Sequence, residues 1–243
     1  VKQHRRFLRV VIVAGALLVG FSGRPAAQTG QGIMSLGGMT GLVNIPVADI
    51  LEDATFRVGY AHIDRRWVYQ LRPRMDNEVY FVAFGFLPRT EVTIRATIFP
   101  DETLLKGVNE PNVDRLASFR VLLVDEGRWP AVAAGADDVW GNRRFHGLYL
   151  VASKTVIGYP TRGRLVATAG YGADLLDAQE IVLDGLFGGV EVRPLRSLSA
   201  VLEYDAEKWN TALRVLFWDR LSVSAAFLNV ETFSGGAAWT QRF

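Results

Sequence analysis

The 243-residue sequence contains no cysteine. That excludes a disulfide framework, a thiolate metal site and a lipid-modified N-terminal cysteine. Histidine is scarce as well: beyond His4 in the basic N-terminal stretch, only His62 and His146 remain. A zinc site wants more nitrogen or sulfur ligands at short spacing, so no metal or cofactor is expected. Gly188-Gly189 lacks the strand–helix context and the following Lys-Ser/Thr of a phosphate loop. The apolar run from Val10 to Phe21 falls short of the about 20 residues that a membrane-spanning helix needs. Beyond it, no stretch shows helical periodicity of useful length.

A strong charge of one sign is also missing, with 27 basic and 25 acidic residues. Much of the basic side lies at the N-terminus. Lys2, Arg5, Arg6 and Arg9 precede the Val10–Phe21 run, and Pro25-Ala26-Ala27 follow it. This order predicts a secretory signal over 1–27, cleaved after Ala27. It holds five basic residues (Lys2, Arg5, Arg6, Arg9, Arg24) and no acidic one, so 22 basic against 25 acidic residues remain, a net charge of −3. A nucleic-acid partner is not expected on that balance.

What the sequence does contain is strand after strand. From Trp129 to Lys154, two β-prone runs flank a polar tip holding Trp140-Gly141-Asn142, which reads as an antiparallel hairpin. The unit recurs as Ala54–His62, Glu78–Leu87, Glu91–Phe99, Leu116–Val124, Ala131–Asp138, Gly147–Val156, Arg164–Ala173, Ile181–Arg193, Ser199–Asp205, Thr211–Trp218, Leu221–Asn229 and Gly235–Phe243. Most segments are close to the roughly nine to eleven residues a tilted strand needs to cross a bilayer. Long and short connections alternate, which predicts an all-β fold, an antiparallel transmembrane barrel of about 12 strands over 54–243. The Gly-rich segment 28–53 fits a linker, a plug inside the barrel or an extra strand.

A period of two assigns each strand two faces. In Glu91–Phe99, Val92, Ile94, Ala96 and Ile98 alternate with Thr93, Arg95 and Thr97. An apolar outside then places Arg95, Arg120, Glu191, Arg193, Glu203, Asp205, Arg214 and Arg242 in the lumen. A soluble sandwich would alternate too. Aromatic residues near strand ends, among them Tyr60, Tyr80, Trp129, Trp140, Tyr149, Trp209, Trp218 and Trp239, favour the girdles of a membrane barrel. Trp239 and Phe243, four apart on one face of the last strand, resemble the signal that barrel-assembly machinery reads. Outer-membrane lipid and that machinery are the expected partners, and the outer membrane the expected location.

Several stretches together resemble the YjbH-like family of outer-membrane proteins. They are Asp125-Glu126-Gly127 with Trp129-Pro130, Ala134-Gly135-Ala136-Asp137-Asp138, Tyr149 through Ser153-Lys154, Gly41 to Ala48, and Gly85 to Val92. Glu126, Gly127, Pro130, Gly135, Asp137, Tyr149, Ser153 and Lys154 carry the match. The resemblance implies a role in exopolysaccharide or capsule production or export, with polysaccharide and export proteins as partners. This chain departs from typical members in being shorter and in lacking a lipidation cysteine.

Catalytic residues are not expected. Asp137-Asp138, beside Arg143 and Arg144, reads as a solvated or paired acidic tip rather than a carboxylate dyad. Ser153-Lys154 reads as a small strand residue followed by a lumen or interface charge. Three readings follow: a non-enzymatic barrel serving polysaccharide export, a membrane-embedded lipid- or glycan-modifying hydrolase using His62 or His146, and a passive pore or scaffold. Catalysis would require one of these histidines near a serine hydroxyl and a carboxylate.

Overall fold

The computed structural model describes residues 33–64, 76–99, 112–141, 145–159, 163–175 and 183–243. The expected signal segment 1–27, and Arg143 and Arg144, lie outside them. Twelve strands follow one another: β1 (Thr55–Ile63), β2 (Asn77–Gly85), β3 (Thr90–Phe99), β4 (Asn112–Val124), β5 (Ala131–Trp140), β6 (Gly147–Tyr159), β7 (Gly163–Ala173), β8 (Gly185–Leu195), β9 (Leu198–Tyr204), β10 (Trp209–Phe217), β11 (Leu221–Leu228) and β12 (Thr232–Arg242). Each pairs antiparallel with its neighbour in sequence, and β12 closes the barrel on β1. Closure removes every unpaired sheet edge.

Every segment expected from the alternation is a strand. The largest shifts have local causes. β4 begins at Asn112 rather than Leu116, because the alternation continues through buried Asp114. β8 begins at Gly185, where a φ of 124° turns the chain into the sheet, and residues 181–182 of the expected segment lie outside the described ones.

Strands β1, β3, β5, β7, β9 and β11 finish at one end of the barrel, the long-loop end, because the longest connecting sequences follow them. Strands β2, β4, β6, β8 and β10 finish at the other, the short-turn end. Asn229 and Val230 have φ of 53° and 55°, and the Glu231 amide donates to the Leu228 carbonyl at 3.1 Å. Two consecutive left-handed residues make a type I′ turn, whose twist matches that of the flanking strands.

The faces sort as a period of two requires. In β10, Ala212 and Arg214 are buried, while Leu213 and Phe217 are exposed on the outside. Outward-facing Val58, Ile94, Val190, Leu213 and Val223 form an apolar middle. Tyr60, Tyr80, Trp140 and Trp209 are exposed towards the long-loop end, and Phe84, Trp129, Phe217, Trp218 and Trp239 towards the short-turn end. Two aromatic belts therefore flank an aliphatic band. Tyr149 corrects the girdle expectation. It is buried inside the barrel, because its position in β6 has inward parity.

The main core is not sheet against sheet. Residues 33–51 run through the lumen without forming a strand, apart from one bridge between Gly41 and Pro46. Of the three readings open for this region, the described part is a plug. Ile33, Met34, Leu36, Leu42, Val43, Ile45, Val47, Ile50 and Leu51 are all buried. They pack with inward-facing wall residues such as Phe81, Val151, Phe187, Val201 and Ala212. The segment leaves the lumen at the short-turn end, where Ala54 (φ 57°) leads into β1.

Candidate functional site: a charged lumen filled by the chain's own N-terminal segment

Four of the inward-facing charges, Glu91, Arg120, Glu203 and Arg214, bond the main chain of the 33–51 segment. On one wall, Arg120 Nη1 donates to the carbonyls of Thr40 (2.7 Å) and Val47 (2.8 Å), and its Nη2 pairs with Glu91 Oε2 at 2.8 Å. Glu91 accepts in turn from the Thr40 amide (2.8 Å) and the Leu51 amide (2.9 Å). On another wall, Arg214 Nη2 donates to the Met34 and Leu42 carbonyls at 2.9 and 3.0 Å, while its Nη1 meets Glu191 Oε1 at 3.2 Å. Glu203 accepts from the amides of Val43 (2.7 Å) and Asn44 (2.8 Å), and Asn210 Nδ2 donates to it at 3.0 Å. Arg57 reaches Thr40 Oγ1 at 3.3 Å.

The chemistry is consistent throughout. An irregular segment carries unpaired amides and carbonyls that no ladder satisfies, and burial makes each one costly. Charged side chains on β3, β4, β9 and β10 supply the missing partners, and bonds to charged groups are the stronger kind. The wall in turn needs the segment, since a buried charge without partners is equally unfavourable.

Residues of the motif stretches secure the same segment or its rim. Ser153 Oγ accepts from the Ala48 amide at 2.9 Å and shares a 2.9 Å bond with Thr168 Oγ1. Glu126 accepts from the Thr155 amide at 2.8 Å and pairs with Lys154 at 3.3 Å, and Lys154 Nζ also donates to the Gly127 carbonyl at 2.6 Å. These contacts fold the 125–130 turn, which ends at half-buried Pro130, back onto β6. Arg164 lies 3.8 Å from both Glu126 and Asp49. Burial pushes the Asp49 carboxyl above its ordinary pKa, against the opposing pull of Arg164 and Arg193. Gly135 leaves room for Tyr149, because a Cβ there would stand 2.3 Å from the phenol ring. Gly189 does the same for the segment, since its Cβ would lie 2.7 Å from Leu42 Cδ1.

Of the lumen residues expected from the alternation, Arg95, Arg120, Glu191, Arg193, Glu203, Asp205 and Arg214 do turn inward. Arg242 does not line the lumen. It sits at the short-turn rim with its side chain 65% exposed, paired with Glu52 at 3.0 Å, because β12 ends there. Arg57 and Glu91 escaped the sequence reading. Glu91 shares the parity of Thr93 and Arg95 and could have been found by extending that row. Arg57 had no such signal, as its row continues with Gly59, Ala61 and Ile63.

Asp137 and Asp138 are adjacent, yet both are turned into the barrel. A register shift between β4 and β5, with Asp138 at φ 48°, breaks the alternation there. Asp138 accepts from the Phe145 amide at 3.0 Å, and Arg95 lies 5.0 Å from the centre of the Phe145 ring. Asp137, Asp114 and Asp138 are electrostatic neighbours of Arg95. With Asp138 buried and Asp137 half-buried, the pair belongs to the inner wall at the long-loop end and is not a solvated tip.

Ser153 is buried, whereas Lys154, next in the strand, reaches the rim at Gly127, so the two do not form a dyad. His62 Nδ1 lies 2.8 Å from Glu78 Oε1 on the outer face, where Tyr60 also donates to Glu78. His146 Nδ1 meets the Asp138 carbonyl at 3.4 Å. Neither histidine hydrogen-bonds a serine hydroxyl among the described residues. No group of three or more His, Cys, Asp or Glu among them is placed to hold a metal ion. Trp239 and Phe243 both face outward, the first under Arg220 at 5.9 Å and the second 5.3 Å from the Phe56 ring.

Magnitudes say how firmly the segment sits. Fully burying one large aliphatic side chain is worth about 1.5–3 kcal/mol, so its nine large apolar residues contribute on the order of 15–25 kcal/mol. That is an upper range, because an unfolded segment would still bury part of its surface.

Fold and interior together define the class: a closed antiparallel β-barrel whose lumen is occupied by the chain's own N-terminal segment. Residues 34–184 match the family model YjbH, described as exopolysaccharide biosynthesis protein YbjH. The chain belongs to the YjbH family. The match takes in both the lumen segment from Met34 and the strands from β1 to β7. No curated protein matches the chain.

Proposed function

We propose that this chain resides in the outer membrane and supports exopolysaccharide production without making or breaking bonds itself. The observation that carries the reading is the outer surface of the barrel, an aliphatic band between two aromatic belts. Such a surface suits a bilayer, where the outward face must be apolar and aromatic side chains favour both interfaces. Membership of an exopolysaccharide-related family supplies the process. The non-enzymatic part rests on the placement of the polar side chains. Glu91, Arg120, Glu203 and Arg214 are engaged with main-chain atoms of the 33–51 segment, and among the described residues neither histidine hydrogen-bonds a serine. Outward Trp239 and Phe243 are the surface we assign to the barrel-assembly machinery.

The location has a direct test. The protein should fractionate with the outer membrane and migrate faster on a gel when left unheated. Recovery as a soluble periplasmic protein would refute the membrane assignment.

A second test addresses the process. Deleting the gene should lower surface or released polysaccharide, and the intact gene should restore it. His62→Ala and His146→Ala should each restore it equally well. Unchanged polymer in the deletion strain would sink the proposal, and loss of output in either histidine variant would favour the hydrolase reading.

A further inference from the structure

We infer that the barrel is sealed: residues 33–51 are a permanent core and not a gate, so the polymer crosses the membrane through a separate conduit. This rests on the reading of the chain as an outer-membrane protein of exopolysaccharide production.

A gate needs two states close enough in free energy for a ligand or partner to shift their populations. Both kinds of contact made by this segment oppose release. Its apolar side chains, Ile45 and Ile50 among them, are completely buried. Its amides and carbonyls are held by Glu91, Arg120, Glu203 and Arg214, each with more than one bond to the segment or to a neighbouring wall residue.

The placement of these contacts matters as much as their strength. Glu91 and Arg120 lie on β3 and β4, Ser153 on β6, and Glu203 and Arg214 on β9 and β10. They surround the segment instead of forming a hinge along one side. Swinging it out would break contacts on several sides of the barrel at once. A hydrated polymer cannot share the space the segment fills, since close-packed interiors leave few voids larger than a water molecule.

The chain's lack of cysteine allows a clean test. The Ala48 amide and Ser153 Oγ are 2.9 Å apart, which brings the two residues close enough for a disulfide to be attempted. Ala48→Cys combined with Ser153→Cys should tether the segment to β6 on oxidation. Polymer output from oxidised cells should equal that from the same cells with the pair reduced. A fall of about tenfold on oxidation, reversed by reductant, would show that the segment must move and would overturn the inference.

Purified wild-type barrel in planar bilayers provides a second readout that needs no variant. No steady single-channel conductance is expected, and porin-sized conductance would also overturn the inference. If the deletion strain makes normal polymer, the proposed function fails, while the conductance result still decides whether the barrel is sealed.

Discussion

Replacing Arg120 by methionine should destabilise the folded barrel by roughly 3–5 kcal/mol, the usual cost of removing one partner of a buried ion pair. Both side chains of the Arg120–Glu91 pair are fully buried. Methionine would leave Glu91 charged in a dry interior and would strand the Thr40 and Val47 carbonyls. Adding Glu91→Gln should recover part of the loss, because it removes the unpaired charge yet keeps an oxygen for the Thr40 or Leu51 amide. The measurement is the denaturant midpoint of the purified protein, with the slope confirming that the same surface unfolds. An unchanged midpoint for Arg120→Met would mean that the guanidinium does not hold the segment.

Ala212→Arg should impair assembly at least as severely as Leu213→Arg, although the two residues face opposite ways. Leu213 is 59% exposed on the outer face. If that face meets lipid as proposed, an arginine there costs about 2–4 kcal/mol near the midplane. Ala212 points inward and is 4% exposed. In a water-filled lumen an arginine at 212 would be tolerated. Here it would enter a packed core beside the 33–51 segment, adding an overpacking cost of about 1–3 kcal/mol and an unpaired buried charge. The fraction of each variant reaching the heat-modifiable form reads the effect. Near-normal assembly of Ala212→Arg would refute a filled lumen.

These two variants also change how the charged lining is understood. A lumen bearing both signs of charge suits weak contacts with a hydrated glycan, and equally a closed network. Arg120 and Arg214 each donate to carbonyls of the 33–51 segment, which commits them to the second role. Arg95 is engaged elsewhere, with Phe145 and the aspartates near the long-loop end.

The sequence by itself determined the barrel and its two faces. Strand periodicity is a local property: Ile94 and Arg95 must point opposite ways whatever lies on either side of them. The same holds for Leu213 and Arg214, and alternating connection lengths then fix which ends of the strands meet. A break in the period, such as the one that turns both Asp137 and Asp138 inward, depends on a register shift against β4 and is not local. What fills the lumen was still less accessible. Residues 33–51 form no strand or helix, so they carry no periodic signal, and their partners are distant in sequence. Val43 and Glu203 are 160 positions apart, and Met34 and Arg214 are 180 apart. Only closing β12 onto β1 brings Glu91, Arg120, Glu203 and Arg214 around one segment, where amides and carbonyls without a ladder partner meet charged side chains.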